Sequence, residues 1–467
     1  MEEAIPGQES EPPLRVRDEE GALEHAFVER VEEAVAAEDR DRLTALVGDL
    51  HESDLGDVLE ALAPDGRDAL VRLLGTDFDW IALTEVDESV RTEILEAIPN
   101  EQIAEAVRTL DSDDAIAILE DLPDEDREEV LADLPFAERI ALERSLDYPE
   151  ESAGRRMTTN FIAVPPFWTV GQTIDFLRED ERLPDQFTEI YVVDPRFQLL
   201  GTVSLDRLLR TKRPVKIGDI MGEVRHSVNV TDDQEDVARL FERYNLLSVG
   251  VVDDSGRIAG VITIDDIVDI IEEEADEDIR RLAGVGDEAI SDTVASAVRS
   301  RIVWLMVSLG TAALASFVIS LFDGTIEQMV ALAILMPIVA SMGGNAGTQT
   351  MTVAVRALAT RDIDTVKPLR LITRETLVGF TNGVIFAVLI GALAAVWFDN
   401  AELGGVIAAA IVINMLSAGL FGILVPLTLD RLGIDPAIAS AVFVIMVTDV
   451  VGFFAFLGLA AWWFGLG

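Results

Sequence analysis

Asp449 is an acidic residue in a part of the chain where charge is costly. The segment Ala437–Phe464 is almost wholly apolar and long enough to span a bilayer, with Asp449 near its middle. At 1.5 Å per residue, Asp449 would lie about 20 Å along a helix from Ala437. A carboxylate at that depth costs about 2.5–3.5 kcal/mol on insertion scales, so it commonly faces a cavity, a partner or an ion path. The alternative is a protonated or hydrogen-bonded aspartate with a structural role.

A second apolar segment carries neutral oxygen ligands. Within Met336–Thr350, Pro337 removes a helix hydrogen bond, and three glycines allow backbones to approach closely. Asn345, Thr348 and Gln349 add amide and hydroxyl groups that close helix packing would not need. The sequence therefore predicts that this segment lines a cavity at membrane depth.

One negative charge among neutral oxygens suits a divalent cation that keeps most of its water. Mg²⁺ dehydrates reluctantly and typically binds one or two carboxylates plus waters. Further amide and hydroxyl groups come from the next two apolar segments, at Asn382, Asn414 and Ser417. The predicted pore residues are Asp449, Asn345, Gly344, Gln349 and Asn414.

The composition excludes several classes of function. The chain has no cysteine and three histidines, so thiol chemistry and soft-metal sites are excluded, and any bound metal is held by oxygen. Its net charge of −49 excludes electrostatic binding of nucleic acid. Residues 1–300 hold 75 of the 85 acidic residues. That acid is either a cation-collecting surface or an adaptation to a high-salt cytosol. The scarcity of lysine favours a halophilic source.

The N-terminal half divides into a tail and a helical domain. Residues 1–20 are acidic and contain proline and glycine, which predicts a disordered tail with no signal segment. Residues 21–150 contain short amphipathic stretches separated by turn signals such as Leu122–Asp124. We therefore predict a superhelix of short helices, each too small to bury its apolar face alone.

Residues 155–272 contain an internal repeat in which strands and helices alternate. Tyr191–Asp194 recurs 59 residues later as Gly250–Asp253, and Gly201–Leu209 recurs at the same spacing as Gly260–Val268. The two units, about 155–212 and 217–272, resemble a tandem pair of CBS domains, a regulatory module that commonly binds adenine nucleotides.

The resemblance to CBS domains implies one intact nucleotide site. Thr263 and Asp266 have the spacing at which such domains hold ribose or phosphate, whereas the first repeat has Arg207 in place of that aspartate. ATP is therefore a candidate ligand of the second repeat. The alternative is a CBS pair that only supports dimerisation.

The C-terminal part, 300–467, is predicted to be a membrane domain that follows a connecting helix at 273–299. Its five predicted spans are Ile302–Phe322, Gln328–Leu358, Leu377–Phe398, Gly405–Leu429 and Ala437–Phe464. The loop after the second span is basic, with Arg361, Lys367, Arg370 and Arg374 in or next to it. The positive-inside rule therefore places residues 1–300 in the cytosol and the C-terminus outside.

The chain resembles the MgtE family of magnesium channels over about residues 25–467. The resemblance is carried by Gly343–Gln349, by Arg356–Asp362, and by Asp435–Pro436 ahead of Thr448–Val450. It implies a homodimer in the cell membrane, with a pore at the subunit interface where Asp449 binds Mg²⁺. It also implies that cytosolic Mg²⁺ bound between the N-domain, CBS domains and connecting helix closes the pore.

The resemblance further implies a set of regulatory ligands, drawn mostly from the acidic run 265–278. One family acidic position falls on Asn245, which departs from the pattern. For each acid, the alternative is a solvated halophilic surface. The predicted regulatory ligands are Asp113, Asp233, Glu235, Asp266, Asp269, Glu274, Glu277 and Asp278.

The sequence thus predicts a multi-domain membrane protein. Its parts are an α-helical superhelical N-domain, an α/β tandem CBS pair, a connecting helix and a five-span α-helical membrane domain. The predicted function is a Mg²⁺ channel with negative feedback, and no motif indicates an enzyme. Two alternatives are a secondary divalent-cation transporter coupled to Na⁺ or H⁺, and an ATP-responsive sensor with the membrane domain as its output.

Overall fold

The structure is a computed structural model that describes residues 15–18, 21–180, 183–184, 186–285, 294–359 and 368–465. The chain forms two compact units, residues 1–274 and residues 275–467. Most of the predicted tail, residues 286–293 of the predicted connection, and the loop residues Arg361 and Lys367 lie outside the described residues.

The first unit begins with nine short helices. Their bounds are α1 His25–Ala36, α2 Arg40–Val47, α3 Glu52–Ala61, α4 Pro64–Leu74, α5 Glu88–Glu96, α6 Asn100–Val107, α7 Ser112–Glu120, α8 Asp124–Asp133 and α9 Phe136–Leu146. Two 3₁₀ turns, Gly75–Asp77 and Trp80–Leu83, separate α4 from α5. Pro99, Pro123 and Pro135 occupy the position just before α6, α8 and α9, where their fixed backbone angle ends one helix and begins the next. The inward faces share one core, as the amphipathic pattern predicts.

Two small sheets follow; each is built mainly from one sequence repeat, and the start of the second repeat adds strand β4 to the first sheet. The first contains β1 Ala163–Val164, β2 Glu189–Val193, β3 Leu199–Ser204 and β4 Gly222–Glu223 in that order. The second contains β5 Ser227–Asn229, β6 Ser248–Val252 and β7 Ile258–Thr263, also in order. The accompanying helices are α10 Ala153–Arg156, α11 Val170–Glu179, α12 Leu205–Arg210, α13 Ile217–Ile220 and α14 Gln234–Tyr244.

The two repeats have the same strand pairing. In each, the first strand is parallel to the second and the second is antiparallel to the third. The register shifts between Val192 and Val193 in one repeat and between Val251 and Val252 in the other, which are equivalent positions. The internal repeat found in the sequence is therefore a structural repeat.

One long helix, α15 Ile264–Ala283, runs from the end of β7 into the second unit. It ends at Gly284, whose φ of +71° lies in the left-handed region that favours glycine, because glycine has no Cβ atom. The closing helix of the second repeat and the start of the predicted connection are thus one continuous helix. The predicted domain limits themselves stay predictions.

The second unit is a bundle of long apolar helices. Their bounds are α16 Val294–Ser320, α17 Asp323–Gln328, α18 Ala331–Ala359, α19 Pro368–Trp397, α20 Ala401–Arg431 and α21 Pro436–Phe464. Among the described residues, five are long and apolar enough to cross a membrane, as predicted. The third starts at Pro368 rather than at Leu377, because the basic residues ahead of the apolar stretch continue the same helix. The short helix α17 was not predicted.

Helix α20 is the most buried of the five. It meets α19 through glycines, because a side chain on Gly404 would lie 2.5 Å from the carbonyl oxygen of Gly391. Such contacts allow two backbones to touch, which is how membrane helices gain packing energy without a hydrophobic effect between them.

Candidate ion path and metal-sensing sites

Helix α18 has one packed face and one polar face. On the packed face, Gly347 lies against Val444 and Thr448 of α21. The opposite face is exposed or half-buried in the single chain, although the helix has the length and hydropathy of a membrane span. Its polar residues are Ser341, Asn345, Thr348, Gln349 and Thr352.

The hydrogens on this polar face are largely used within α18. The hydroxyl of Thr348 donates to the carbonyl oxygen of Gly344 at 3.0 Å, and that of Thr352 donates to the carbonyl oxygen of Thr348 at 3.0 Å. The amide of Asn345 donates to Ser341 Oγ at 3.3 Å. The outward oxygens are therefore left as acceptors. Acceptors suit the water shell of a cation, because those waters present their hydrogens outward.

Asp449 lies on α21, a helix that packs against α18. The preceding residue, Thr448, packs on Gly347 of α18. The Asp449 side chain is half-buried, and no cation from the described residues lies within ion-pair distance of it. A side chain added at Gly344 would meet open space. A half-buried carboxylate on α21 and an open polar face on α18 are therefore both present, and the pore roles of Asp449, Gly344, Asn345 and Gln349 stay predictions.

Asn414 has a different environment from the other predicted pore residues. It is 1% exposed on α20, and its amide nitrogen donates to the carbonyl oxygen of Val339 at 2.9 Å. It therefore lies inside the bundle, behind α18, rather than on the open polar face. Its predicted contact with the ion stays a prediction that this burial does not support.

In the first unit, two acidic helix starts approach each other. Asp113 and Asp114 lie in the first turn of α7, and Asp266 lies in the first turn of α15. Carboxylates are favoured at helix N-termini, which explains their positions along each helix. The Oγ of Ser112 accepts from the backbone nitrogen of Thr159 at 2.7 Å, which holds α7 against the first repeat. The helical domain and the repeats thus bring acids together that are distant in sequence.

Burial and mutual repulsion raise the pKa values of these acids. Burial, and then the charge of Asp266, hold the pKa of Asp113 well above its usual range. Burial is also the main cause that raises the pKa of Asp114 to about 7 and that of Asp269 to about 6. The Oδ1 atom of Asp113 is shielded from solvent and has no hydrogen-bond partner among the described residues. A cation bound by these carboxylates would offset both the cost of burying their charge and the repulsion between them.

Asp266 and Thr263 contact each other. The hydroxyl of Thr263 donates to Asp266 Oδ2 at 2.7 Å, and its backbone nitrogen donates to the same atom at 3.2 Å. Burial raises the pKa of Asp266, although these two hydrogen bonds lower it. The two residues predicted to hold a nucleotide are therefore in contact with each other, and their nucleotide-binding role stays a prediction.

A second set of acidic residues lies at the start of α14. Asp233 caps this helix by accepting from the backbone nitrogen of Glu235 at 2.9 Å, and Glu235 forms an ion pair with Arg239. Glu274 accepts from the amide of Gln234 at 2.7 Å, and burial raises its pKa, with Glu235 and Asp233 adding repulsion. Three predicted regulatory residues therefore interact electrostatically, although Glu235 already has a counter-charge.

The last two predicted ligands belong to the second unit. Glu277 forms an ion pair with Arg281, and Arg281 also donates to Asp435 Oδ2 at 2.8 Å. Asp435 is the capping residue of α21, the helix that carries Asp449. Asp278 is half-buried on the same turn of α15. The end of α15 is thus tied to the start of the helix that carries Asp449.

In the parts of the chain that the structure describes, no three acidic or histidine side chains are arranged to hold one metal ion. The structure brings Asp113 near Asp266 and Asp233 near Glu274, which are pairs rather than full sites. The sequence reasoning missed Asp114, Ser341 and Thr352. Two sequence signals for these residues were available. One is the acidic run 111–114 at a helix start, and the other is the four-residue spacing of polar groups in the second span.

Three parts of the chain match known protein families. Residues 336–459 match the MgtE divalent cation transporter domain, residues 50–151 match the MgtE intracellular N domain, and residues 153–213 and 217–273 match the CBS domain. A helical intracellular domain, a CBS pair and a five-span unit with a carboxylate at membrane depth define a membrane transporter of divalent cations.

Curated relatives extend over nearly the whole chain. The magnesium transporter MgtE of Bacillus subtilis is 31% identical over 417 residues, which cover 89% of this chain and 92% of that protein. The magnesium transporter MgtE of Thermus thermophilus is 31% identical over 425 residues, or 87% and 94% of the two chains. The crystal structure of the cytosolic domain of the Mg²⁺ channel MgtE in complex with ATP is 28% identical and covers 52% of this chain and 99% of that one, with a TM-score of 0.49.

The chain belongs to the MgtE family of magnesium transporters. The predicted family, fold class and magnesium transport are confirmed. The roles of individual residues stay predictions.

The raised pKa values predict that magnesium binding depends on pH. Asp114 and Asp269 hold protons in the folded chain up to about pH 7 and 6, whereas an unfolded aspartate releases its proton near about pH 4. Without Mg²⁺, stability should therefore fall as pH rises from about 4 to about 7. Because Mg²⁺ displaces these protons, it should raise the melting temperature more at about pH 8 than at about pH 5.

Scanning calorimetry of the full chain in detergent, with and without Mg²⁺, measures this difference. The double variant Asp114→Asn and Asp269→Asn should flatten the pH dependence. An equal Mg²⁺ effect on the wild-type protein at both pH values would show that these acids do not bind the ion.

Proposed function

We propose that Mg²⁺ crosses the membrane between the polar face of α18 and Asp449, at the interface of two copies of this chain. The observation that carries this proposal is a half-buried carboxylate and an open polar face on two helices that pack together, each with the length and hydropathy of a membrane span. Facing lipid, that face would leave amide and hydroxyl groups without water, which is costly. Facing a second copy across a water-filled path, the same groups are solvated.

The ion keeps its inner water shell in this path. Asp449 supplies the charge that selects a cation, and the acceptor oxygens of Asn345, Thr348 and Thr352 receive hydrogen bonds from the ion's waters. One carboxylate from each of two chains would offer a pair, which fits the one or two carboxylates that Mg²⁺ typically uses. Complete dehydration would require more charged ligands than these helices present.

We further propose that cytosolic Mg²⁺ closes this path. The acids Asp113, Asp114, Asp266 and Asp269 repel one another while they are ionised, and a divalent ion between them favours the compact arrangement. The same logic applies to Asp233 and Glu274 near α14. An ion that binds only the compact arrangement stabilises it by RT ln(1 + [L]/Kd), which is about 1.4 kcal/mol per site when the free ion is at ten times Kd.

The end of α15 provides a route from these sites to the ion path. Arg281 joins Glu277 to Asp435, the capping residue of α21, and Leu282 packs with Met351 and Ala437. A shift of α15 would therefore act directly on the start of the helix that carries Asp449. This contact supports a gating role for Glu277 and the neighbouring Asp278, whether or not either binds the ion directly.

Two finer features belong to the same proposal. ATP is proposed as a ligand of the second CBS repeat, where Thr263 and Asp266 are in contact. The C-terminus is proposed to lie outside the cell membrane, because the loops near Asp323 and Asp399 contain no Lys or Arg. The acid-rich, lysine-poor composition favours a halophilic source.

The first prediction concerns the charge of Asp449. Asp449→Asn preserves the size of the side chain and removes its charge, so we expect a membrane-inserted protein with at most about a tenth of wild-type Mg²⁺ flux, which corresponds to about 1.4 kcal/mol. Flux is measured as Mg²⁺ uptake into proteoliposomes. Near-normal uptake by an equal amount of inserted variant would exclude Asp449 from the path.

The second prediction concerns the open side of α18. Gly344→Leu should block Mg²⁺ flux, because the new side chain would fill the open space and remove water from the path. Gly405→Leu on α20 is the matched control, since a side chain there also meets open space within a membrane helix. If both variants transport normally, the polar face of α18 does not line the path.

The third prediction separates a magnesium sensor from a solvated acidic surface. The combined substitution Asp266→Asn, Asp269→Asn, Glu274→Gln and Glu277→Gln should leave Mg²⁺ flux intact and remove its closure by cytosolic Mg²⁺. Patch recording from the cytosolic face measures the Mg²⁺ concentration that halves the current.

The matched control changes four exposed acids of the helical domain to glutamine: Glu101, Glu105, Glu125 and Glu128. This control should close at the wild-type concentration. Closure of the first variant at that same concentration would contradict the proposed feedback.

A further inference from the structure

Asn414 occupies the point where three membrane helices meet. It lies on α20 with 1% of its surface exposed, and its amide nitrogen donates to the carbonyl oxygen of Val339 on α18 at 2.9 Å. On the other side it contacts α21 at Gly452, where an added side-chain carbon would lie 2.6 Å from the same nitrogen. The amide is therefore enclosed by all three helices.

The two glycines beside Asn414 leave the space that its amide fills. A side-chain carbon at Gly343 of α18 would overlap the amide nitrogen, and one at Gly452 of α21 would press on the same group. These glycines lie close to the ion path, because Gly343 is two residues from Asn345 and Gly452 is three residues from Asp449. The amide thus spaces and joins the helices that carry the polar face and the carboxylate.

Packing alone does not account for an asparagine here. A leucine would fill a similar volume without burying polar atoms, and the Oδ1 atom of Asn414 is buried with no hydrogen-bond partner among the described residues. Burying an unpaired acceptor lowers the stability of the fold, so the hydrogen bond to Val339 is formed at the expense of stability. That bond is directional, and it fixes the position of α18 along and around its axis in a way that apolar contact does not.

We infer that Asn414 is a positioning residue that sets the spacing between the polar face of α18 and Asp449, and that this spacing determines which divalent cation is carried. Asn414 does not contact the ion. A fixed spacing suits Mg²⁺, which demands near-ideal octahedral geometry and retains its waters. A looser one admits Ca²⁺, which accepts irregular coordination and more ligands. The inference rests on the proposed ion path.

The first test adds a methyl group against the Asn414 amide and leaves Asn414 itself unchanged. Gly452→Ala should reduce the ratio of Mg²⁺ to Ca²⁺ flux by up to about tenfold, the change expected from disturbing one hydrogen bond. Gly458→Ala on the same helix is the matched control, because a side chain there would meet its nearest atom at an ordinary 3.8 Å. Both fluxes are measured in proteoliposomes that contain equal amounts of inserted protein. A wild-type ratio in Gly452→Ala would overturn the inference.

The second test asks whether the two positions share one space. Asn414→Ala should also reduce the flux ratio, and it leaves room for the added methyl group. The double variant Asn414→Ala and Gly452→Ala should therefore have the ratio of Asn414→Ala alone rather than the product of both losses. Multiplied losses would mean that Asn414 acts independently of Gly452, as an ion ligand would, and would contradict the positioning role.

Two outcomes keep this inference separate from the proposed path. If Asp449→Asn stops transport while Gly452→Ala keeps the wild-type ratio, the path stands and the positioning role of Asn414 is wrong. If Asp449→Asn transports normally, the path itself is wrong. Should Asn414→Ala fail to insert, the comparison of Gly452→Ala with Gly458→Ala still decides the question.

Discussion

Carboxylates placed where their charge is costly are the constraint on which both units of this protein depend. Asp449 lies on an apolar helix with no cation within ion-pair distance among the described residues, and Asp113 and Asp266 repel each other in a buried setting. An ion pair with a lysine or arginine would have neutralised each of these carboxylates at a lower free-energy cost. The chain uses an arginine in this way at Glu120. We propose that a mobile divalent cation is the counter-charge that these positions share. A protein stabilised in this way by the ion it transports would respond to the concentration of that ion.

The rest of the fold positions these charges. Close helix contacts through glycine at α19, α20 and α21 make a rigid bundle, which leaves the polar face of α18 exposed at its edge. In the first unit, hydrogen bonds between the start of α7 and the first repeat bring distant acids together. Helix α15 belongs to both units, and Arg281 ties its end to the start of α21. Several of the proposed regulatory acids therefore lie along one continuous helix whose end contacts the start of α21.

Much of this could be predicted from the sequence, because the signals are local. Uninterrupted apolar stretches predicted the five spans, and equal spacing of similar segments predicted the two sheets. The motif around Asn345 and Gln349 predicted the polar face. The position of Asn414 could not be predicted, since its burial is decided by glycines on two other helices. Asp113 and Asp266 are more than 150 residues apart in the sequence, and only the family resemblance indicated that they lie close together. The pairing of Arg281 with Asp435 gave no sequence signal.

We propose that a divalent cation completes both kinds of site. Anomalous diffraction from crystals of the full-length protein grown with Mn²⁺ in place of Mg²⁺ tests it directly, because Mn²⁺ favours the same oxygen ligands. We expect Mn²⁺ peaks beside Asp449 and between Asp113 and Asp266. Ordered carboxylates at these positions with Mn²⁺ peaks only elsewhere would contradict it.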